Sequence, residues 1–554
     1  MKKNKIALIL SIATITVLFF SAFKRDNHNF ELSKQLSIFN NLVKEIDLFY
    51  VDTIAPEKII KAGIDAMLEK LDPYTTYYTE EGSEELKMMI TGKYAGIGSL
   101  IRFHEKKNTT VIAEPYDNMP AAKSGLQIGD LIQSINGTSV IGMSSDSVSN
   151  MLRGEAGTKL TIEVERPGSK QPVTIKLERE NITLPVIPYY GILQDSIGYL
   201  QLESFTEGCS KEMRRALIDM KNKGANAYII DLRSNGGGSL AEAIEIVNLF
   251  VPKGLNIVET KGKIKRSNET YKTTREPIDT VSPLIVLVDG QTASAAEIVS
   301  GSLQDLDRAV IIGARTYGKG LVQITRELPY NGFLKVTTSK YYIPSGRCIQ
   351  AIDYTHRTAN DEAARTPDSL TNIFHTAAGR EVRDGRGISP DIETKGEKLT
   401  ALLYHLIQDM AIFDYATDYK LKHSTIASAE TFNLSNEDYE TFKSYLKSTG
   451  FSYDKESYKA LKQLKKMLEL EGYTEATKEE VEKMENILQH NLDHDLDFFA
   501  KDVKRMIADE IIKRYYSQQG SIAYMLRDDA DIAESLQLFK DSKKYKEILQ
   551  PTKK

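Results

Sequence analysis

The sequence predicts a multidomain protein that joins an α/β domain, a smaller α+β domain and helical regions at both ends. Three observations predict this. First, 554 residues are too many for one hydrophobic core. Second, apolar strand-like runs alternate with helix-forming stretches over residues 183–395, whereas short β-like runs separated by turns fill residues 85–182. Third, residues 396–554 are rich in Lys and Glu, with apolar side chains at helical spacing.

The composition is that of an ordinary globular protein, with 41% apolar and 27% charged residues. A net charge of −5 argues against a nucleic-acid partner. The two cysteines, Cys209 and Cys348, lie far apart in the sequence, so neither a disulfide framework nor a CxxC metal motif exists. We therefore expect two inert thiols, no metal and no cofactor.

Residues 1–25 have the pattern of a secretion signal or a single membrane anchor, because basic residues flank an apolar run over 6–23. The segment 20–23 (FSAF) is a poor cleavage site, since an aromatic residue occupies a position that needs a small one, and we favour an uncleaved anchor. The denser basic cluster precedes the run, which favours a cytoplasmic N-terminus. We expect the protein in the cell envelope, on the periplasmic side of a bacterial inner membrane, anchored or secreted.

Residues 30–84 predict a helical N-terminal region. Apolar side chains such as Leu36, Phe39 and Ile46 recur there at helical spacing. The simplest interpretation is an arm that packs against the rest of the chain.

Residues 85–182 resemble a PDZ domain. The resemblance rests on the segments 96–100 (GIGSL), 121–126 (AAKSGL) and 129–132 (GDLI). Successive backbone N–H groups in such a Gly-rich loop can hold a terminal carboxylate, and the adjoining strand edge can pair with an extended peptide. We expect residues 144–152 to form the helix that closes the groove; the alternative is a small β domain that only spaces other parts. The expected peptide-binding residues are Gly96, Ile97, Gly98, Ser99 and Leu100.

Within residues 183–395, Ser294 is predicted to lie on a turn between a strand and a helix. The apolar run 283–288 (PLIVLV) predicts a buried strand, and 293–303 has helix-forming composition. Free backbone N–H groups at such a turn favour a developing oxyanion. A serine nucleophile needs a base, and the nearest histidine is the distant His356. Lys319 lies in a Gly-rich turn, and a lysine serves as base when burial disfavours its ammonium form, so we infer a Ser-Lys dyad.

The same residues resemble the tail-specific, or C-terminal processing, serine peptidases of family S41. The motifs that carry the resemblance are 231–238 (DLRSNGGG), 292–297 (TASAAE), 318–320 (GKG) with Gln323, 340–347 (KYYIPSGR) and 387–391 (GISPD). The similarity covers roughly residues 35–395. It implies a crotonase-like or ClpP-like α/β core, with Ser294 as nucleophile, Lys319 as general base and Gln323 orienting the lysine.

Two backbone donors are expected to stabilise the oxyanion. Ala295 follows the nucleophile, so its N–H is a natural first donor. The second is expected from the glycine turn at 236–238, where missing side chains permit close backbone approach. Gly236 and Gly237 are the candidates, and the sequence leaves the choice open.

Residues 396–554 predict an all-α C-terminal region, with helical spacing over 399–410, 458–470 and 496–516 and breaks within 432–450 and 517–520. Its charge runs are most simply solvated helix faces. Docking of an adaptor or self-association through this region is the alternative.

Three functions are compatible with these observations. The first is an envelope serine endopeptidase that recognises apolar C-terminal tails of protein or peptide substrates through its PDZ domain. The second is a non-catalytic binding module on the same α/β core, and the third is a PDZ scaffold with a vestigial or latent peptidase. The joint presence of Ser294, Lys319 and Gln323 favours the first. In the family the PDZ domain either delivers substrate or gates the site, and the sequence does not distinguish these roles.

Overall fold

The computed structural model describes residues 28–194, 196–357, 363–396, 399–453, 456–488 and 491–550. It divides into two units. The first consists of Met1–Tyr77 and Leu334–Val336; its described residues are helical over 28–49 and Pro56–Glu69. The second consists of Tyr78–Phe333 and Thr337–Lys554.

The predicted signal or anchor at residues 1–25 lies outside the described residues. Among the helices that the structure describes, none combines the length and the apolar character needed to cross a bilayer.

A six-stranded sheet forms the centre of the second unit, and its strands follow the apolar runs of the sequence. In spatial order the strands are Tyr190–Leu193, Ile197–Gln201, Ala227–Asp231, Leu284–Val288, Val310–Gly313 and Ile392–Glu393. The first pair is antiparallel and the others are parallel. Because parallel strands end at the same edge, the turns after Asp231, Val288 and Gly313 come together there.

Side chains of this sheet alternate between two hydrophobic cores, as strand geometry requires. Leu200, Ile230 and Val286 belong to the first core. Three helices supply its other layer: Cys209–Asn222, Leu240–Asn248 and Ala295–Asp305. Tyr199 and Ile285 point into the second core on the opposite face.

The second core is completed by the last two helices of the chain, Ala530–Lys540 and Ser542–Leu549. Leu538 and Tyr545 are buried against the sheet. The hydroxyl of Tyr545 lies 2.8 Å from the backbone N and 3.1 Å from the backbone O of Leu284. These helices are therefore a layer of the α/β core rather than a separate appendage.

The β-rich region has its own core and a sheet in the spatial order Ser99–His104, Thr109–Pro115, Leu131–Ile135, Lys159–Glu165 and Val173–Glu178, with Thr138–Ser139 beside the third strand. A separate ribbon pairs Lys93–Gly96 with Glu180–Thr183. The short helix Pro120–Lys123 and the helix Ser145–Leu152 pack on this sheet. The N-cap of the latter is Ser144, whose side chain accepts from the Ser147 N–H, so the helix predicted over 144–152 is confirmed; its role in closing a groove stays a prediction.

Further strands and one further helix lie outside the central sheet and the β-rich region. The strands are Thr76–Tyr78, Asn256–Gly262, Glu269–Lys272, Leu321–Glu327, Phe333–Tyr342, Ile352–Arg357, Ala363–Arg365, Ile373–His375 and Glu381–Arg383, and Ser83–Thr91 is a helix.

The C-terminal region is helical, as predicted. Its helices before the last two are Ala401–Gln408, Ala411–Lys422, Asn436–Ser448, Glu456–Glu471, Lys478–Leu488, Leu492–Phe498 and Ala500–Met525. The predicted break at 517–520 is confirmed as a kink at Ser517, whose φ is 54°. The predicted breaks within 432–450 are confirmed, because residues 432–435 and 449–450 lie outside the helix Asn436–Ser448. Phe442 and Leu446 are fully buried on the inner face of this helix.

Candidate active site

Ser294 lies where the sequence places it, between the strand Leu284–Val288 and the helix Ala295–Asp305. Its side chain is half-buried. Its backbone has φ 56° and ψ −115°, outside the regions that L-residues normally adopt. Such a conformation persists only where surrounding contacts hold it, and these cluster at functional sites.

The first of these contacts is the carboxylate of Glu297. It joins the turn that carries Ser294 (the serine turn) to the turn that carries Lys319 (the lysine turn). Its Oε2 accepts from the Ser294 N–H at 2.9 Å and from the Lys319 N–H at 2.8 Å. Its Oε1 accepts from the Gly318 N–H at 2.8 Å and from the Thr316 hydroxyl. Complete burial raises the pKa of Glu297, and these four donors oppose the rise by favouring the carboxylate. One side chain thus fixes both turns.

The second contact is the hydroxyl of Tyr341, which acts on the carbonyl groups of the same two residues. It donates to the Ser294 oxygen at 3.1 Å and to the Lys319 oxygen at 2.8 Å. Burial, followed by the charge of Glu297, raises the pKa of Tyr341 well above its usual value, so the phenol keeps its proton. Glu297 and Tyr341 therefore clamp the backbones of Ser294 and Lys319 from both the N–H and the C=O side.

Lys319 is half-buried in the turn before the strand Leu321–Glu327. The next residue is also fixed, because the Gly320 N–H donates to Gln350 Oε1 at 2.7 Å. Gln323 lies on the strand, and its Nε2 donates to Thr337 Oγ1 at 3.1 Å. The base role of Lys319 and the orienting role of Gln323 stay predictions.

The glycine turn lies directly against the serine turn. A Cβ on Gly237 would stand 2.7 Å from the Ala293 oxygen and 2.8 Å from Ser294 Cβ, so only glycine fits. The Gly237 N–H donates to Asn235 Oδ1 at 2.8 Å. A Cβ on Gly236 would have no atom within 4 Å, so this position is not crowded. Within the described residues, no hydrogen bond uses the N–H of Ala295, the first residue of its helix. The oxyanion roles of Ala295, Gly236 and Gly237 stay predictions.

Further hydrogen bonds lock the glycine turn to the serine turn. The Thr292 hydroxyl donates to the Leu232 carbonyl at 2.8 Å, and the Ala293 N–H donates to the Asn235 carbonyl at 2.9 Å. Asp289 accepts from the backbone N–H of Ser234 at 3.0 Å. The three turns at this edge of the sheet consequently behave as one hydrogen-bonded assembly.

The loop at 96–100 is built to present backbone donors. The carbonyls of Ile97 and Gly98 accept from the N–H groups of Ala121 at 2.8 Å and Tyr116 at 3.0 Å, inside the domain. In a trans peptide the following N–H points the opposite way, so the N–H groups of Gly98 and Ser99 point away from these partners. The Gly98 N–H donates to the Tyr94 hydroxyl. Leu100 is exposed beside them. This arrangement suits an incoming terminal carboxylate.

Sequence reasoning missed the roles of two residues. Glu297 appeared in the sequence analysis only as part of the motif 292–297, with no role of its own. Its position three residues after Ser294 is that of a capping box, which predicts a hydrogen bond from the Ser294 N–H to the Glu297 carboxylate. Tyr341 carries no local signal, because its partners are distant in sequence. Among the residues that the structure describes, no group of three or more His, Cys, Asp or Glu side chains is arranged to hold a metal ion.

Three family profiles match this chain. The sequence profile of Peptidase family S41 matches residues 196–358, a PDZ domain profile matches 111–166, and the profile of the probable PDZ-protease C-terminal helical domain matches 402–539. A carboxy-terminal-processing protease of Bartonella bacilliformis is 36% identical over 326 residues, which cover 58% of this chain and 74% of that protein.

Two further relatives and one solved structure extend the comparison. A probable CtpA-like serine protease of Staphylococcus saprophyticus is 30% identical over 75% of this chain and 82% of its own length. The carboxy-terminal processing protease CtpA of Bacillus subtilis is 35% identical over 56% of this chain and 66% of its own length. The structure of a photosystem II D1 C-terminal processing protease aligns with a TM-score of 0.36 at 25% identity, covering 66% of this chain and 95% of that one.

The fold, the PDZ domain and these matches define a serine-type C-terminal processing endopeptidase. The chain belongs to peptidase family S41.

Proposed function

We propose that the protein cleaves substrate proteins in the cell envelope with a Ser294–Lys319 dyad and selects them by their C-terminal tails. The observation that carries the proposal is the double clamp described above. Glu297 holds the N–H groups of Ser294 and Lys319, and Tyr341 holds their carbonyls. Because the two backbones are fixed to each other, the two side chains start from fixed, neighbouring positions.

In the first half-reaction, neutral Lys319 takes the proton from Ser294 Oγ while that oxygen attacks the scissile carbonyl carbon. The carbonyl oxygen becomes an oxyanion, which the Ala295 N–H and a donor from the glycine turn stabilise. The C–N bond then breaks, and the proton held by Lys319 goes to the leaving amine. The product is an ester of Ser294 with the acyl part of the substrate.

In the second half-reaction, Lys319 takes a proton from water, whose oxygen attacks the ester carbonyl. The same donors stabilise the second oxyanion. The C–O bond to Ser294 breaks, Ser294 regains its proton from Lys319, and a carboxylic acid is released. Gln323 would hold the lysine side chain in position during both steps.

The PDZ loop supports selection by C-terminal tails. The Ser99 N–H and the Gly98 N–H, which donates to the Tyr94 hydroxyl, are the proposed donors to a terminal carboxylate. The strand Ser99–His104 can pair with an extended peptide beside the helix Ser145–Leu152. Exposed Leu100 suits an apolar tail residue.

The proposed location rests on the pattern of residues 1–25, which suits an anchored or secreted protein on the periplasmic side of an inner membrane. The C-terminal helical region is proposed to offer a surface for an adaptor or for self-association, in addition to its packing on the sheet.

The test compares the purified protein, lacking residues 1–25, with Ser294→Ala and Lys319→Ala. The substrate is an unfolded protein that ends in small apolar residues, and a second substrate carries an amidated C-terminus. We expect cleavage by wild type only, and slower cleavage of the amidated substrate. Lys263→Ala, which removes an exposed lysine from the same domain, is the matched control and should keep full activity.

Full activity of folded Lys319→Ala would remove the lysine as base. Equal cleavage of the free and amidated substrates would remove carboxylate recognition while leaving the dyad in place.

A further inference from the structure

The glycine turn is connected to the far end of the chain through Arg233. The guanidinium lies just before that turn, and its Nε and Nη2 donate to the Asp231 carboxylate at 3.0 and 2.6 Å. Its Nη1 lies 2.8 Å from Asp529 Oδ2 and donates to Asp531 Oδ2 at 2.9 Å. Three carboxylates from two distant segments thus surround one cation.

The acidic side of this connection is fixed by the last helices. Asp529 is the N-cap of the helix Ala530–Lys540, and its carboxylate accepts from the N–H groups of Asp531 and Ile532 at 2.9 and 3.1 Å. Ile532 is buried against the underside of the central sheet. The two carboxylates are therefore anchored to the sheet independently of Arg233.

The basic side is equally well fixed. Asp231 is buried and accepts a further hydrogen bond from the Tyr199 hydroxyl at 2.8 Å. Burial opposes the charge of Arg233, but the neighbouring carboxylates outweigh this and raise its pKa, so it stays a cation. Because the planar guanidinium of Arg233 is hydrogen-bonded on both sides, the position of the Arg233 Cα is restricted.

The segment after Arg233 depends on that position. Ser234 has a positive φ of 59°, and its N–H donates to Asp289, the residue that begins the serine turn. Gly236 and Gly237, which follow closely, belong to the proposed oxyanion site. A Cβ on Gly237 would stand 2.8 Å from Ser294 Cβ and 2.9 Å from the Ala295 nitrogen, so this turn lies directly against the nucleophile. A shift of Arg233 would move these glycines against the nucleophile.

We propose that Asp529 and Asp531, at the start of the C-terminal helix, are positioning residues that set the oxyanion turn through Arg233. This rests on the proposed role of the glycine turn beside Ser294. It assigns the C-terminal helices to the catalytic unit of the enzyme, beyond any docking function.

The test variant is Asp529→Ser/Asp531→Ala in the protein lacking residues 1–25. Serine at position 529 can still cap the helix Ala530–Lys540. Arg233 still forms its ion pair with Asp231, so no buried charge is left unpaired. Because displacement of an oxyanion donor weakens the transition state more than the ground state, we expect kcat to fall about 10-fold or more at unchanged KM.

The matched control is Asp541→Ser/Glu534→Ala, which changes the N-cap of the next helix and an ion pair of the same helices without contact to Arg233. The control variant should have a thermal midpoint similar to that of the test variant, but wild-type kcat.

A test variant with wild-type kcat, while Ser294→Ala is inactive, overturns the positioning role alone. Activity of Ser294→Ala equal to wild type overturns the proposed function, and the positioning role with it. If the double variant does not fold, isosteric Asp531→Asn is measured instead, and an unchanged kcat there overturns the proposal.

Discussion

The Glu297 carboxylate accepts the backbone N–H of Lys319 at 2.8 Å, with the same oxygen that accepts the N–H of Ser294. A residue on the first turn of the nucleophile's helix therefore sets the distance between the serine and lysine turns. Burial raises the pKa of Glu297, and the four donors oppose that rise because they favour the carboxylate form.

Glu297→Gln should lower activity strongly. The amide keeps the size of the side chain but offers one acceptor oxygen to four donors, so its NH2 group faces donors. Leaving a buried donor unsatisfied costs about 1–3 kcal/mol of folding free energy. In this variant the donors that lose an acceptor are those of the serine and lysine turns. We expect kcat to fall at least about 10-fold, measured by peptide hydrolysis beside thermal unfolding.

Glu242→Gln is the matched control for that variant. Glu242 also accepts backbone N–H groups, from Gly208 and Ser210 at 2.9 Å each, in the same domain but outside the serine and lysine turns. It should lose stability with kcat preserved. Equal kcat losses in the two variants would show that Glu297 acts only through overall stability.

Tyr341→Phe should impair catalysis by releasing the carbonyls of Ser294 and Lys319 while preserving the packing of the ring. We expect a loss of about 1–3 kcal/mol in the free energy of unfolding and a lower kcat with KM nearly unchanged. Tyr228→Phe is the control, since Tyr228 is equally buried but its hydroxyl has only a 3.5 Å contact with the Ala225 carbonyl. Wild-type kcat in Tyr341→Phe would contradict the clamp.

Gly237→Ala should inactivate the enzyme. The added methyl would stand 2.7 Å from the Ala293 oxygen, and the φ of 97° is unfavourable for alanine. Gly224→Ala has nearly the same φ, 94°, but nothing within 4 Å of the new methyl, so it isolates the backbone strain. We expect both variants to lose stability, measured by denaturant unfolding, and only Gly237→Ala to lose hydrolysis. Activity in folded Gly237→Ala would show that the turn tolerates displacement.

Both cysteines should resist thiol reagents in the folded protein. Burial, and then the charge of Glu242, raises the pKa of the Cys209 thiol far above its usual value, and burial raises that of Cys348. A raised pKa means less thiolate at any given pH, so native labelling at pH 8 should be slow for both and should accelerate on unfolding. Rapid labelling of Cys209 by a maleimide in the native protein, read by intact mass, would contradict this burial.

Local patterns in the sequence predicted the elements that surround the site. Turn residues bound the apolar run 283–288, which became the strand Leu284–Val288, and the helix-forming stretch 293–303 became the helix Ala295–Asp305. These succeed because a strand or a helix start depends on neighbouring side chains.

Long-range contacts could not be predicted in this way. The positive φ of Ser294 is enforced by Glu297 and Tyr341, and the latter is distant in sequence. Likewise, an amphipathic pattern shows that the helix Ala530–Lys540 buries one face, but it does not identify the sheet that covers it. The proposed connection through Arg233 depends on that packing.

The most direct test of the Ser294–Lys319 dyad is a double-mutant cycle on hydrolysis. Rates of wild type, Ser294→Ala, Lys319→Ala and the double variant are measured on one tailed substrate, with folding checked by circular dichroism. If the two side chains act as a unit, each single variant loses nearly all activity and the double variant is no slower than either. Losses that multiply, or a Lys319→Ala enzyme that retains most of its activity, would contradict the dyad.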